Sequence, residues 1–149
     1  MEVGKVFIAS DHAGFEAKEF SKECLKKLGF EVVDLGTNSK DMSVDYPDFA
    51  NIMAESLNTK EPDFGILVCG TGLGISIAAN RHKNIRCALC HDVSTARLSR
   101  EHNDANVLCF GARVVGAAVI EDMINTFFST EFAGGRHQKR VDKLGFCSC

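Results

Sequence analysis

The sequence predicts an α/β fold, a three-layer α/β/α sandwich built on a five-stranded parallel sheet, and three observations carry that expectation. Apolar runs of strand length recur along the chain. Amphipathic stretches with helical spacing separate them. The runs are nearly continuous in Val, Ile, Leu and Phe rather than alternating, the pattern of strands covered on both faces and therefore parallel. Strands that alternate with helices in this way close through right-handed crossovers, with a helix layer on either side of one sheet.

The first run, KVFIAS (5–10), is followed by FEAKEFSKECLKKLG (15–29), whose Phe20, Cys24, Leu25 and Leu28 share one helical face while charges fill the other. Gly29 suits the left-handed cap that ends such a helix. FEVVDLG (30–36) is the second strand, and Pro47 suits the first turn of a helix that carries Phe49, Ile52, Met53 and Leu57 inward. The third strand is FGILVCG (64–70), with a short helix beginning near Ile75. IRCALC (85–90), a helix over 93–101, ANVLCFG (105–111) and a longer helix over 114–128 complete the alternation. A more polar last helix, around 135–144, is expected to lie across an edge or against a second subunit.

With 149 residues, 45% hydrophobic and 25% charged, and no low-complexity tract, the chain reads as one domain, 1–149, able to bury roughly two-thirds of its unfolded surface. A net charge of -3 offers no electrostatic reason to expect nucleic acid. The start, Met1-Glu2-Val3-Gly4-Lys5, lacks the pattern of a signal peptide, and no apolar run approaches the roughly 18 residues of a membrane span. The expected compartment is the cytoplasm, with no membrane partner. Seven cysteines, an odd number without a secretory leader, do not read as a disulfide framework. Cys87 and Cys90 have CxxC spacing but lie on a strand, where side chains three apart point to opposite faces. With Cys24 and Cys109 they read as small core hydrophobes, and Cys147 and Cys149 as a mobile tail.

In open sheets of this kind ligands sit beyond the carboxyl ends of the strands, where the winding direction reverses. With strand 1 between strands 2 and 3, that crevice lies at Asp11, His12 and residues 69–74. There, Cys69 is followed by Gly70-Thr71-Gly72-Leu73-Gly74. Ile75 stands where a dinucleotide fingerprint has its third glycine, and no Gly-Lys-Ser/Thr makes a P-loop. What the glycines offer is close backbone approach to a ligand and N–H groups that form a nest for negative charge. Cys69 precedes the nest, where helix N-terminal dipoles favour the thiolate.

His102 and Asn103 precede the fifth strand, at the wrong end of the sheet for their own chain's crevice. They are expected to reach a site in a neighbouring copy, which requires an oligomer. Arg136 and Arg140, four apart, would on one helix aim both guanidinium forks at a dianionic phosphate, with Arg113 as a third fork. Read alone, each histidine has a structural role as its bland alternative, and the arginine pair a solvated basic face. Their convergence with Cys69 argues for a site. His82, His91 and His137 fit no ligand spacing, and without a two-His-carboxylate set no metal is expected. A thiolate base, an amide nest for an enediolate oxygen, histidines for proton transfer and an arginine clamp suit proton abstraction beside the carbonyl of a sugar phosphate, with no cofactor.

The segments SDHAGFEAK, DYPDFA, CGTGLGISIAANR, LSREHNDANVLCFGARVVG and GGRHQKRV resemble the B-type ribose-5-phosphate isomerases, a family that also contains allose-6-phosphate and galactose-6-phosphate isomerases. The resemblance runs from residue 8 to about 141. It implies a flavodoxin-like, Rossmann-like sandwich, no metal, and a homodimer or dimer of dimers with sites built across the subunit interface. By position it implies Cys69 as the base between C2 and C1, the 70–74 loop with the Thr71 hydroxyl as the enediolate holder, and His102 as the ring-opening acid/base. Substrate binding falls on Asp11, His12, Gly70, Thr71, Gly72, Leu73, Gly74, Asn103, Arg113, Arg136 and Arg140. One branch of the family uses a glutamate at the start of this loop's helix, where Ile75 stands here, so the chain sits with the cysteine branch.

Two other classes compete with this reading: a module that binds flavin or nucleotide, and a silent sugar-phosphate sensor. Within the enzyme class, allose 6-phosphate or galactose 6-phosphate competes with ribose 5-phosphate.

Overall fold

The computed structural model describes residues 4–57 and 63–145, so Cys147 and Cys149 lie outside the described residues. Its strands are β1 (Lys5–Ser10), β2 (Glu31–Asp34), β3 (Phe64–Cys69), β4 (Cys87–Leu89) and β5 (Val107–Gly111). Six helices alternate with them: α1 (Phe15–Lys27), α2 (Tyr46–Ser56), α3 (Leu73–Ala79), α4 (Val93–Glu101), α5 (Ala117–Phe127) and, after a 3-10 turn at Gly135–His137, α6 (Gln138–Leu144). All pairings are parallel, in the order β2-β1-β3-β5-β4. Among the described residues no helix is long and apolar enough to cross a membrane.

The three-layer parallel sandwich is as the sequence predicts, and β1 lies between β2 and β3. The far half differs from the 2-1-3-4-5 order of the flavodoxin pattern, because β5 sits between β3 and β4. Burial gives the reason. All five residues of β5 are buried, whereas the three of β4 are only half-buried, so the apolar strand takes the interior place and the short one the edge.

Side chains alternate across the sheet and divide the core in two. Val6, Ile8, Ile66, Val68, Leu108 and Phe110 meet α1, α4 and α5 through Leu25, Ala96, Ile124 and Phe127. On the other face, Ala9, Leu67, Cys69 and Cys109 meet α2 and α3 through Met53, Ile75 and Ala79. Each large side chain enclosed this way contributes about 1.5–3 kcal/mol. Cys90 and Cys87 fall on opposite faces, as expected of a strand, and Cys24, Cys90 and Cys109 are buried. Burial pushes the Cys90 thiol up to about 11.

Gly29 has φ +88 and ends α1 as expected. Leu28, expected inward, is 44% exposed because it is the residue beyond the last turn. Ile52 is likewise exposed, on the outer side of α2, while Met53 and Leu57 are buried. A charge also lies inside: Lys18 of α1 is fully buried and its ammonium is 2.7 Å from the Asp34 carboxylate at the end of β2. Burial raises the Asp34 carboxyl, but Lys18, Lys22 and the Gly36 N–H outweigh it and hold the group below its usual range.

Candidate active site

The carboxyl ends of β1, β3 and β5 bring one set of expected residues together. Asp11, buried at the end of β1, accepts the Gly14 N–H on Oδ1 at 3.0 Å and so closes the turn into α1. The loop after β2 returns over the same end, and its Val44 N–H donates to His12 Nδ1 at 3.1 Å. A ring nitrogen that accepts a hydrogen bond carries no proton, so Nε2 is the N–H donor of the neutral ring.

Cys69 ends β3 with 4% of its surface exposed, and its Sγ accepts the Gly72 N–H at 3.1 Å. That contact needs Gly72 in the left-handed region, φ +79. A side chain there would also collide, its Cβ 2.5 Å from Leu89 Cδ1 and 2.8 Å from the Phe110 carbonyl carbon. Thr71 is exposed and its Oγ1 accepts the Leu73 N–H at 3.2 Å. Arg113 belongs here too. Its backbone N–H donates to Gly70 O at 2.9 Å, and a Cβ on Gly70 would lie 3.3 Å from its Nη1.

The remaining expected residues gather at the other end of the sheet. His102 caps α4 at its C-terminus, and Asn103 follows it, exposed, before a left-handed Asp104 with φ +46. Asp104 is held by Arg100 Nη1 at 2.8 Å and Arg86 Nη2 at 3.4 Å. The Ala133 N–H donates to Glu101 O at 3.0 Å and draws the chain's last segment against the same corner. His102 and Cys69 are thus separated by the length of β5, about 15 Å.

The arginines divide in the same way. Arg113 stands with Cys69, while Arg136 and Arg140 follow Ala133 at the His102 end, so one chain does not assemble the three-fork clamp. Nor do Arg136 and Arg140 share one helix: Arg136 is in the 3-10 turn and Arg140 in α6. The segment expected as one helix over 135–144 begins with the 3-10 turn, entered through Gly134 and Gly135 at positive φ, and that turn runs directly into α6.

Two residues escaped the sequence reading. His137 is buried, and its ring stacks on His102 with centroids 4.3 Å apart and planes 16° apart. Burial, then the charges of His102, Arg136 and Arg140, push His137 below the usual histidine range. Nothing local signals a contact 35 positions apart. Tyr46, the chain's single tyrosine, packs over Gly74, where a Cβ would lie 2.6 Å from its ring, and it is 40% exposed beside the loop. Its signal was an isolated aromatic one residue before Pro47 at a helix start. Of the histidines that fitted no spacing, His82 pairs with Asn51 at 2.8 Å. Among the described residues no three His, Cys, Asp or Glu side chains are placed to hold a metal ion.

Doubly wound sheets do their chemistry at the switch point, and it is there that this chain seats a cysteine beneath a glycine-shaped loop. The class is that of an α/β enzyme acting on a small polar molecule. Comparison with known proteins narrows it: residues 6–144 match the Ribose/Galactose Isomerase family, and the chain belongs to that family. Ribose-5-phosphate isomerase B of Escherichia coli is 44% identical over 140 residues, which cover 94% of this chain and 93% of the relative. The solved ribose-5-phosphate isomerase B of Clostridium thermocellum superposes with a TM-score of 0.90 at 52% identity, covering 95% of each chain. That of Mycoplasma genitalium, solved with bound ribulose-5-phosphate, does so with a TM-score of 0.90 at 44% identity, covering 97% of this chain and 95% of the other.

Proposed function

We propose that this chain is a ribose-5-phosphate isomerase that interconverts D-ribose 5-phosphate and D-ribulose 5-phosphate through an enediolate. The observation that carries the reading is the Cys69 Sγ held 3.1 Å from the Gly72 N–H at the switch point of the sheet. Family membership and the relative solved with ribulose-5-phosphate support it.

In the forward direction Cys69, as thiolate, takes the proton from C2 of the open-chain aldose and returns it to C1. The proton of the O2 hydroxyl passes to O1, so that the O1 carbonyl becomes a hydroxyl and O2 the new carbonyl. Negative charge passes over O1 and O2, where N–H groups of residues 70–74 and the Thr71 hydroxyl stabilise it without reorganising. His12 offers Nε2–H to a sugar oxygen, Asp11 fixes the start of α1 beneath it, and Tyr46 walls the same loop. Before this step His102 opens the furanose ring as acid and base, taking the proton of the anomeric hydroxyl and delivering one to the ring oxygen as the C1–O4 bond breaks, with Asn103 beside it. Arg113, Arg136 and Arg140 bind the phosphate.

The separation of His102, Asn103, Arg136 and Arg140 from Cys69 supports a homodimer, or dimer of dimers, in which each site takes its two halves from two copies. The apolar side chains left on the outside around the loop agree with a second copy covering them: Leu73 is 55% exposed and Ile77, four residues on along α3, 59%. Turnover of ribose 5-phosphate compared with allose 6-phosphate and galactose 6-phosphate tests the substrate. Preference for the pentose supports the reading, and preference for either hexose replaces it with the corresponding isomerase.

A further inference from the structure

A second cysteine touches the same loop residue from below. Cys109 of β5 is fully enclosed on the α2/α3 face of the sheet, and its Sγ lies 3.3 Å from Gly72 O. That oxygen also accepts the Ser76 N–H, at 3.1 Å, as the first hydrogen bond of α3. The N–H of the same glycine is the group on Cys69 Sγ. Burial, with Cys87 and Cys69 nearby, pushes the Cys109 thiol well above its usual range, so it keeps its hydrogen and acts as the donor.

We propose that Cys109 is a positioning residue for the isomerase reaction, donating its S–H to Gly72 O and so holding the Gly72 N–H against the Cys69 sulfur. This rests on the reading of Cys69 as the base. The left-handed Gly72 has no side chain to anchor it, and its carbonyl is tied on one side to α3 and on the other to the sheet. Without that bond the Gly72 carbonyl is held by α3 alone, although Gly70 stays tied to Arg113. The N–H then spends less time on the sulfur and stabilises the thiolate less.

The test is the rate at which iodoacetamide alkylates Cys69 at pH 6, followed by peptide mass spectrometry in the full-length protein, together with kcat and KM. Cys109→Ala and Cys109→Val remove the donor, and either one suffices if the other folds poorly. Alkylation should slow by about 3-fold, and kcat should fall with it while KM holds. Cys109→Ser, which keeps a donor, should stay with the wild type. Cys90→Ala removes a buried thiol of the same size on the opposite face and should change neither rate. Unchanged alkylation in the donor-free variants, or an equal change in Cys90→Ala, overturns the proposal. If alkylation slows as expected in an enzyme whose turnover survives Cys69→Ala, the positioning stands and the assignment of the base falls.

Discussion

The rings of His102 and His137 lie nearly parallel, 4.3 Å between centroids, at the opposite end of β5 from Cys69. His137 is held below the usual histidine range by burial and by the surrounding positive groups, so it stacks as a neutral ring. A histidine with a depressed folded value binds its proton more readily when unfolded. Its contribution is present above the unfolded value, about 6.5, and is lost as pH falls through the folded one. The melting temperature should therefore drop between pH 7 and pH 5, and His137→Phe, which stacks without titrating, should flatten that drop. An equal drop in both proteins would remove His137 from the explanation.

Replacing Cys69 by Ala should lower kcat by about 10²- to 10⁴-fold with a small change in KM, because the thiolate acts in proton transfer and not in holding the phosphate. Steady-state kinetics on ribose 5-phosphate check this. A variant with wild-type kcat would show that another group is the base.

Gly72→Ala should be damaging in two ways at once. The left-handed backbone at φ +79 disfavours a side chain by about 1–2 kcal/mol, and the added methyl meets Leu89 and the Phe110 backbone. The loop must shift and take its N–H off the Cys69 sulfur. Thermal unfolding should report lower stability and kinetics a loss in kcat beyond what the stability loss accounts for. A variant that melts lower but turns over normally would separate the loop's shape from its chemistry.

The placement of the candidate residues was largely legible because they sit at strand ends, where apolar runs stop. Cys69 ends such a strand, and Asp11, His12 and Arg113 each follow one whose continuous hydrophobicity reveals where it finishes. The mismatch of His102 was legible for the same reason, since it precedes β5 instead of following it. The strand order was not, because an edge place for β4 depends on the relative burial of two runs that both look apolar in sequence. Nor was the His102–His137 stack, since it depends on tertiary contacts such as Ala133 N–H to Glu101 O. The i, i+4 spacing of Arg136 and Arg140 assumes a single α-helix, whereas Arg136 lies in a 3-10 turn that leads into α6, so the two do not follow α-helical spacing.

The buried Lys18 ammonium depends on Asp34, and Asp34 also accepts the Gly36 N–H at 2.9 Å where β2 leads into the loop that reaches His12. Asp34→Asn should cost about 2 kcal/mol at pH 7, less than for a wholly buried pair because Asp34 is 25% exposed. Its carboxyl is depressed, so the stability it adds is present above the unfolded value, about 3.9, and is lost as pH falls through the folded one. Urea midpoints should differ between wild type and variant at pH 7 and converge toward pH 2. A constant gap across that range would mean that the charge on Asp34 is not what matters.

Activity should survive a chelator, since a thiolate and backbone N–H groups can supply both the base and the charge stabilisation that a metal would otherwise provide. Turnover before and after dialysis against EDTA checks this. Loss on dialysis with recovery on adding a divalent cation would overturn the metal-free mechanism.

The shared site is tested most directly by mixing inactive Cys69→Ala with inactive His102→Ala under conditions that exchange subunits, with exchange followed by native mass spectrometry. In a two-fold dimer each mixed pair carries one site with both lesions and one with neither. The expected result is activity returning to about half of wild type per mixed dimer. Confirmed exchange with no returning activity would mean that Cys69 and His102 serve one site within a single chain, contrary to their placement at opposite ends of the sheet.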